Sequence, residues 1–342
     1  MKRPRLPAVL AFCFLLLPCR DADARAHRDP FLLLWWNAEN LFDPADDPAT
    51  EDEEFTPEGK LHWTDKKLEL KRERISTVLK AVRANPGYGA VPDLIALAES
   101  ENRKVFTGTL AAAGLGHYRV AYHESPDPRG IDVGLAWNPR SLSFAGSKAY
   151  RVPLENRNTR DVVVAGFSAA GRPLGVVLNH WPSRSFDVAW TERNRIAAAR
   201  VARHVVDSLR ALRPQPAVVV MGDFNDPPES RSVRKVLGSS SERREVRSNP
   251  SRLLYNCWGD VPHGGSYVWR GKWERIDQVL VSASLLDGHG LELAKEGFAP
   301  FMFPHMLDAS GTKLYPTFEK RKYVGGYSDH LPLLVKIANA GN

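Results

Sequence analysis

Apolar runs of four to seven residues recur along the chain at 31–36, 93–98, 133–137, 162–167, 174–178, 217–221, 278–281 and 331–337. Runs this short, rich in Val, Ile, Leu and Phe and bounded by polar or turn residues, predict strands buried on both faces rather than helices. Two longer stretches carry a helical period instead. In 66–85, Leu68, Ile75, Val78, Leu79 and Val82 fall on one face; in 186–213, Ile196, Ala199, Ala202, Val205, Val206, Leu209 and Leu212 do the same. Arg193, Arg195, Arg200, Arg203 and Arg210 lie mostly on other faces of the second helix and read as a solvated surface. Segments 43–59, 239–251 and 299–324 show neither period and are expected to be irregular. No linker, composition break or internal repeat divides the chain, so 27–342 is expected to form a single domain. Strands buried on both faces, with helices on only some connections, predict an α/β protein of two packed sheets covered by helices.

Several strand-like runs end at once in a polar motif. In chain order these motifs are Asn37-Ala38-Glu39-Asn40, Glu99, Asn179-His180-Trp181-Pro182, Gly222-Asp223-Phe224-Asn225-Asp226, Ile276-Asp277 and Ser328-Asp329-His330. Asn, Asp, Glu and His are costly as packing residues and useful as metal ligands, bases and phosphoryl clamps. Gly222 permits a sharp exit from its strand, after which Asp223 can orient a water or a second cation and Asn225 can donate to a phosphoryl oxygen. Asp226 and the prolines after it are read as shaping the loop. Arg129, in Pro128-Arg129-Gly130, suits bidentate phosphate recognition.

The order and spacing of these motifs resemble the endonuclease/exonuclease/phosphatase superfamily over about 32–335, with the acidic stretch 46–59 and the loop 125–133 resembling a secreted bacterial branch. The resemblance implies a four-layer α/β/β/α sandwich (DNase I-like), two packed mixed sheets flanked by helices, with the site where strand ends of both sheets meet. It also implies a cation, Mg²⁺ with Mn²⁺ or Ca²⁺ as alternates, held by Asn37, Glu99 and Asp329. His330 and Asp277 would form the catalytic dyad, with the imidazole taking a proton and the carboxylate fixing its tautomer. His180 would bond a phosphoryl oxygen or assist the leaving group, and Arg129, Asp132 and Arg184 would contact substrate phosphate. Ala98 stands where the family usually has a glutamine, which removes a side-chain hydrogen bond beside Glu99. Asn40, Arg160, Tyr267, Trp269 and Trp273 are second-tier candidates, the aromatics being read first as core.

Composition adds an address. Lys2, Arg3 and Arg5, an apolar run over 8–17 and a small-residue pattern near 22–26 read as a secretory signal over 1–26, too short for a bilayer span of roughly 20 residues. A secreted or periplasmic protein is expected; a lipoprotein acylated at Cys19 fits less well, because Pro18 precedes the cysteine. Cys257 is then the one cysteine of 27–342, which excludes an intrachain disulfide or a cysteine-based zinc site there. The formal charge of +7 falls to +4 once the five basic and two acidic residues of 1–26 are removed, a balance compatible with a polyanionic substrate.

These readings favour a secreted, divalent-metal-dependent phosphodiesterase acting on nucleic acid by in-line attack of water, as a monomer. A phospholipid or phosphoinositide hydrolase of the same fold is the alternative, and a catalytically inactive binding protein the reading from another class. The Gly-Asn-His and Gly-His-x-His sets of a dinuclear metallophosphatase are absent from the sequence.

Overall fold

The computed structural model describes residues 30–155, 157–184 and 188–340. The expected signal segment and Cys19 lie outside the described residues. Strands in chain order are β1 (Phe31–Leu41), β2 (Leu94–Ser100), β3 (Arg119–Ala121), β4 (Asp132–Trp137), β5 (Leu142–Tyr150), β6 (Val162–Ala169), β7 (Arg172–His180), β8 (Ala217–Asp223), β9 (Ser239–Ser240), β10 (Leu254–Asn256), β11 (Tyr267–Trp269), β12 (Lys272–Glu274), β13 (Asp277–Val281), β14 (Leu291–Pro300), β15 (Phe318–Glu319), β16 (Lys322–Tyr323) and β17 (Leu333–Asn339). The helices are α1 (Asp65–Ala84), α2 (Arg103–Ala112), α3 (Val188–Leu212) and the short α4 (Arg243–Ser248).

Two mixed sheets form, one ordered β14-β17-β1-β2-β4-β3 and the other β5-β6-β7-β8-β13-β10-β9. Their facing sides share one core in which Leu33, Trp35, Ala96 and Val335 meet Val176, Leu178, Met221 and Val279. The outer face of the first sheet packs on α1 and α2 through Leu34, Trp36, Ile75, Val78 and Phe106. The outer face of the second packs on α3 through Val177, Val220, Ala199, Ala202 and Val206. Apolar side chains on both faces of each central strand explain why the runs are continuous rather than alternating. The result is the four-layer α/β/β/α sandwich.

Three expectations need correction. The stretch 239–251 is not wholly irregular, since it contains β9 and α4. The stretch 299–324 includes the β15–β16 hairpin, and β14 runs on to Pro300. Arg195 is not on a solvated face: it is fully buried, and its Nε lies 2.6 Å from Asp226 Oδ1. Arg203 and Arg210 are spent on main-chain oxygens of the 250–253 turn, which fastens α3 to that loop.

Candidate active site

Register brings the polar motifs together. In the second sheet His180 pairs with Asp223 across parallel β7 and β8, and Asp223 pairs with Asp277 across antiparallel β8 and β13. Each lies two residues beyond an inward-facing core residue, Leu178, Met221 or Val279. The period of two therefore points all three side chains toward the first sheet. There Asn37 follows inward-facing Trp35 by the same rule and lies in register with Ala98. Alternation would send Glu99, next after Ala98, to the opposite side. Instead Glu99 has φ +60 where the pairing with β4 shifts register, and this bulge redirects its carboxylate. Glu39, Asn40 and Asn225 also occupy the left-handed region, at φ 53, 54 and 51. Positive φ in non-glycine residues costs free energy and clusters at functional sites.

Three contacts bridge the sheets. Trp35 Nε1 donates to Asp277 Oδ1 (2.9 Å), Asn37 Nδ2 donates to Asp223 Oδ2 (3.2 Å) and His330 Nδ1 donates to Asp277 Oδ2 (2.6 Å). Ser266 Oγ adds a third donor to Asp277 at 2.6 Å, so this buried carboxylate is satisfied on both oxygens. The His330 Nε2 atom is left facing Asp329 Oδ1 at 3.9 Å and Asp223 Oδ2 at 4.0 Å. His180 Nε2 stands 3.8 Å from Glu99 Oε1 and 3.7 Å from Asp223 Oδ2, and its buried Nδ1 has no hydrogen-bond partner. Asn37 Nδ2 also reaches Glu99 Oε1 (3.3 Å), while Asn40 N donates to Glu99 Oε2 (2.9 Å).

These groups open on a cavity of about 670 Å³ whose wall includes Asn37, Glu99, His180, Arg184, Asp223, Asn225, Asp329 and His330. Asp277 lies behind His330 rather than on the wall, and two of the three predicted phosphate contacts are not brought to the cavity. Asp132 is buried elsewhere, accepting from Ser125 N (3.0 Å) and facing Glu124, and cannot meet a substrate phosphate from there. Arg129 lies off the cavity wall with Nε 3.8 Å from Asp127. Arg160 is buried as a clasp, donating to Asp127 Oδ2 (3.0 Å) and to Trp181 O (2.7 Å). Tyr267, read first as core, instead lines the cavity with its ring centroid 4.8 Å from that of His330, and Trp269 and Arg270 continue its rim. Arg270 and Ser183 were missed; an arginine in a hairpin turn and a serine after a proline carry no signal in sequence. Also missed was Lys71, fully buried behind the site, which donates to Thr317 Oγ1 (2.5 Å) and Tyr327 O (2.8 Å). The neighbouring Glu39 accepts from Thr317 N and Phe318 N.

Charge at the site is one-sided. Burial, reinforced by Asp277, pushes the Asp223 carboxyl up to about 7, and burial with Glu99 nearby raises Asp329. Burial alone would lower the His330 imidazole, but Asp277, Asp329 and Asp223 hold it well above its ordinary value. His180 is held well below its ordinary value by burial and then by Arg160 and Arg129, so it is neutral. Carboxylates crowded in this way repel one another, and a divalent cation would offset that repulsion. Among the described residues Asp223, Asp277 and His330 offer ligand atoms within 4.8 Å of one another. Asp277 and His330 Nδ1 are already committed to each other, however, which favours the carboxylate oxygens on the cavity wall. A hard oxygen set of this kind fits Mg²⁺, Mn²⁺ or Ca²⁺.

The comparisons agree with this architecture. The chain aligns with the human Nocturnin catalytic domain at 16% identity and TM-score 0.54, covering 91% of this chain and 94% of that one. D. rerio TDP2 complexed with single strand DNA product gives 14% identity, TM-score 0.54 and coverage of 90% and 98%. The Bacteroides thetaiotaomicron mannosyl-6-phosphatase gives 12%, 0.55 and coverage of 90% and 99%. At these identities the likeness shows the fold alone. No curated protein matches the sequence. The sequence profile of the Endonuclease/Exonuclease/phosphatase family matches residues 33–339, a span that takes in every strand-end residue of the site, and the chain belongs to that family.

Proposed function

We propose that the chain is an exported, monomeric, Mg²⁺-dependent phosphodiesterase that hydrolyses nucleic acid by direct attack of water. The observation carrying this reading is the His330–Asp277 pair at 2.6 Å, with its free Nε2 turned into a carboxylate-walled cavity. A divalent ion held by Glu99 and Asp329, beside Asn37, would supply charge neutralisation at a phosphoryl and a leaving oxygen. With the carboxylates that hold His330 protonated offset by that ion, Nε2 is free to take the proton of the attacking water, while Asp277 keeps Nδ1 protonated and stabilises the imidazolium that forms. Asp223, between the two histidines, orients that water. Neutral His180 and Asn225 donate to non-bridging oxygens, strengthening as charge develops. Arg184 and Arg270 at the rim suit flanking phosphates, and Tyr267 and Trp269 offer flat faces to a base.

One observation favours phospholipid as a second substrate class: Trp269 and Trp273 of the β11–β12 hairpin are 49% and 37% exposed beside the cavity mouth. Cleavage of supercoiled plasmid and of bis-p-nitrophenyl phosphate, in Mg²⁺ and in EDTA, separates the readings. Nicking that needs Mg²⁺ and disappears in Glu99→Ala and His330→Ala is the expected result. Turnover of the small diester with intact plasmid would sink the nucleic-acid assignment, and hydrolysis of phospholipid vesicles would then replace it. No turnover with any divalent ion would favour the binding-protein reading.

A further inference from the structure

We infer, resting on the nuclease reading above, that the β11–β12 hairpin is a stacking subsite for an unpaired base, which makes single-stranded nucleic acid the substrate class. The register Tyr267↔Glu274, Val268↔Trp273 and Trp269↔Lys272 sorts the ribbon into two faces. One carries Tyr267, Trp269, Lys272 and Glu274; the other carries Val268 and Trp273. Tyr267 and Trp269 both line the catalytic cavity, and the turn residue Arg270 lines it with them. The Tyr267 ring is occupied by the His330 imidazole, with centroids 4.8 Å apart, and so marks the reacting end. Trp269 stands two residues further along the same face, about 7 Å away along the strand. Of its surface 49% is open.

Positive charge flanks this indole. The Arg270 guanidinium lies over it, 5.5 Å from the ring centroid, and Lys272 is its cross-strand neighbour. Arg270 and Gly271 have φ 50 and 76, the two left-handed positions of a tight hairpin turn. Such a turn favours asparagine or glycine at its first position, so arginine is not there for the sake of the turn. What it adds is a phosphate-seeking fork beside an aromatic face. Arg184, on the same wall, forms an ion pair with Glu274, which fastens the hairpin to the segment after His180. A base inside a duplex is covered on both faces by neighbours about 3.4 Å away along its strand, and an indole cannot reach it. A single strand leaves base faces open, and stacking on an aromatic ring beside a cation accepts any sequence. The two exposed tryptophans do not form one membrane-seeking patch. Trp273 lies on the other face with Val268, which packs against the outer core of the first sheet, and the tip between the tryptophans is Arg270-Gly271-Lys272.

The test compares cleavage of a labelled oligonucleotide, alone and annealed to its complement, by the wild-type chain in Mg²⁺. The single strand should be cleaved with kcat/KM at least about tenfold above the duplex, within the roughly 5- to 150-fold that one base–aromatic stack is worth. Trp269→Ala should raise KM for the single strand and bring its kcat/KM close to the duplex value. Trp269→Phe should restore most of the difference, and Trp273→Ala should leave the preference for single strand in place. Equal cleavage of the two forms by the wild-type chain would overturn the subsite and leave the nuclease reading standing. Turnover of bis-p-nitrophenyl phosphate with neither form cleaved would overturn both. A Trp269→Ala loss as large on that small diester as on the single strand would mean that the indole shapes the site rather than holds a base, and the subsite would fall. Loss of binding to phosphatidylglycerol vesicles in Trp269→Ala, with single-strand cleavage unchanged, would replace the subsite by a membrane contact.

Discussion

Asp277 shows how one buried residue can organise a site. Its carboxylate takes the Trp35 indole, the Ser266 hydroxyl and the His330 imidazole, so it joins both sheets and the loop before the β11–β12 hairpin. Asp277→Asn replaces one acceptor oxygen by a donor, which removes the charge that holds His330 Nδ1–H. A fall in turnover of about 10²–10⁴-fold is expected, the usual range for general acid–base catalysis, with near-native circular dichroism because Trp35 can still be accepted. Turnover within a few-fold of wild type would show that His330 needs no oriented tautomer. The His330, Asp277, Asp223, His180, Asn37, Glu99 and Asp329 placements were legible because a polar residue at the end of an apolar strand has no packing reason to be there. Trp35 and Ser266 were not, since an indole inside an apolar run looks like core and a serine after two glycines looks like turn. Arg129 and Asp132 failed for the opposite reason. Their types suit phosphate chemistry, but a Pro/Gly turn fixes no direction for Arg129, and Asp132 opens β4 one residue before inward-facing Val133, so alternation sends it to the opposite face from the site.

At the level of elements, the site depends on strands approaching closely enough for side chains of both sheets to meet. Gly222 marks that constraint: a Cβ there would stand 2.2 Å from Asn179 O and 2.6 Å from Asn179 Cβ on parallel β7. Gly222→Ala would force β7 and β8 apart where His180 and Asp223 are paired. A loss of about 1–3 kcal/mol in stability, the range for overpacking a close contact, should accompany a drop in turnover, read by urea denaturation and steady-state kinetics. Unchanged stability would mean that the strand ends are looser than their register implies. The central strands and both long helices were readable because their periods are strong. Edge strand β5, with only its first residue fully buried, gave no continuous apolar run, and strands of two or three residues such as β9 and β15 are too short to carry a period. The arginine stripe on α3 was misread at Arg195 because periodicity reports polarity, while its buried partner, Asp226, comes from a loop that sequence spacing cannot place.

For the whole molecule, the dominant electrostatic fact is a set of buried carboxyls whose acidity the fold weakens. Burial pushes Glu101 up to about 8, with Asp43 and Asp52 adding to the effect, and burial with Glu124 alongside pushes Asp132 up to about 8. Burial, aided by Asp277 and Asp329 respectively, raises Asp223 and Glu39 to about 7. A carboxyl raised in the folded state contributes stability that is fully present below its unfolded value near 4 and lost as pH climbs through its folded value. Lys71 works the other way: burial lowers it to about 8, so its contribution falls as pH drops. Neutral His180 likewise loses its contribution below its unfolded value. These four raised carboxyls, joined by raised Asp329 and, above about pH 6.5, by raised His330, outweigh Lys71 and His180 between about pH 4.5 and 8. The metal-free chain should therefore unfold at a lower temperature at pH 8 than at pH 5.5, the reverse of ordinary acid lability. Divalent cation should flatten that slope, because the ion replaces the proton as the neutralising charge. A pH series of thermal melts in EDTA and in Ca²⁺ decides the matter. A melting temperature that rises from pH 5.5 to 8 in EDTA would mean these carboxyls are solvated or paired in ways that leave them ionised.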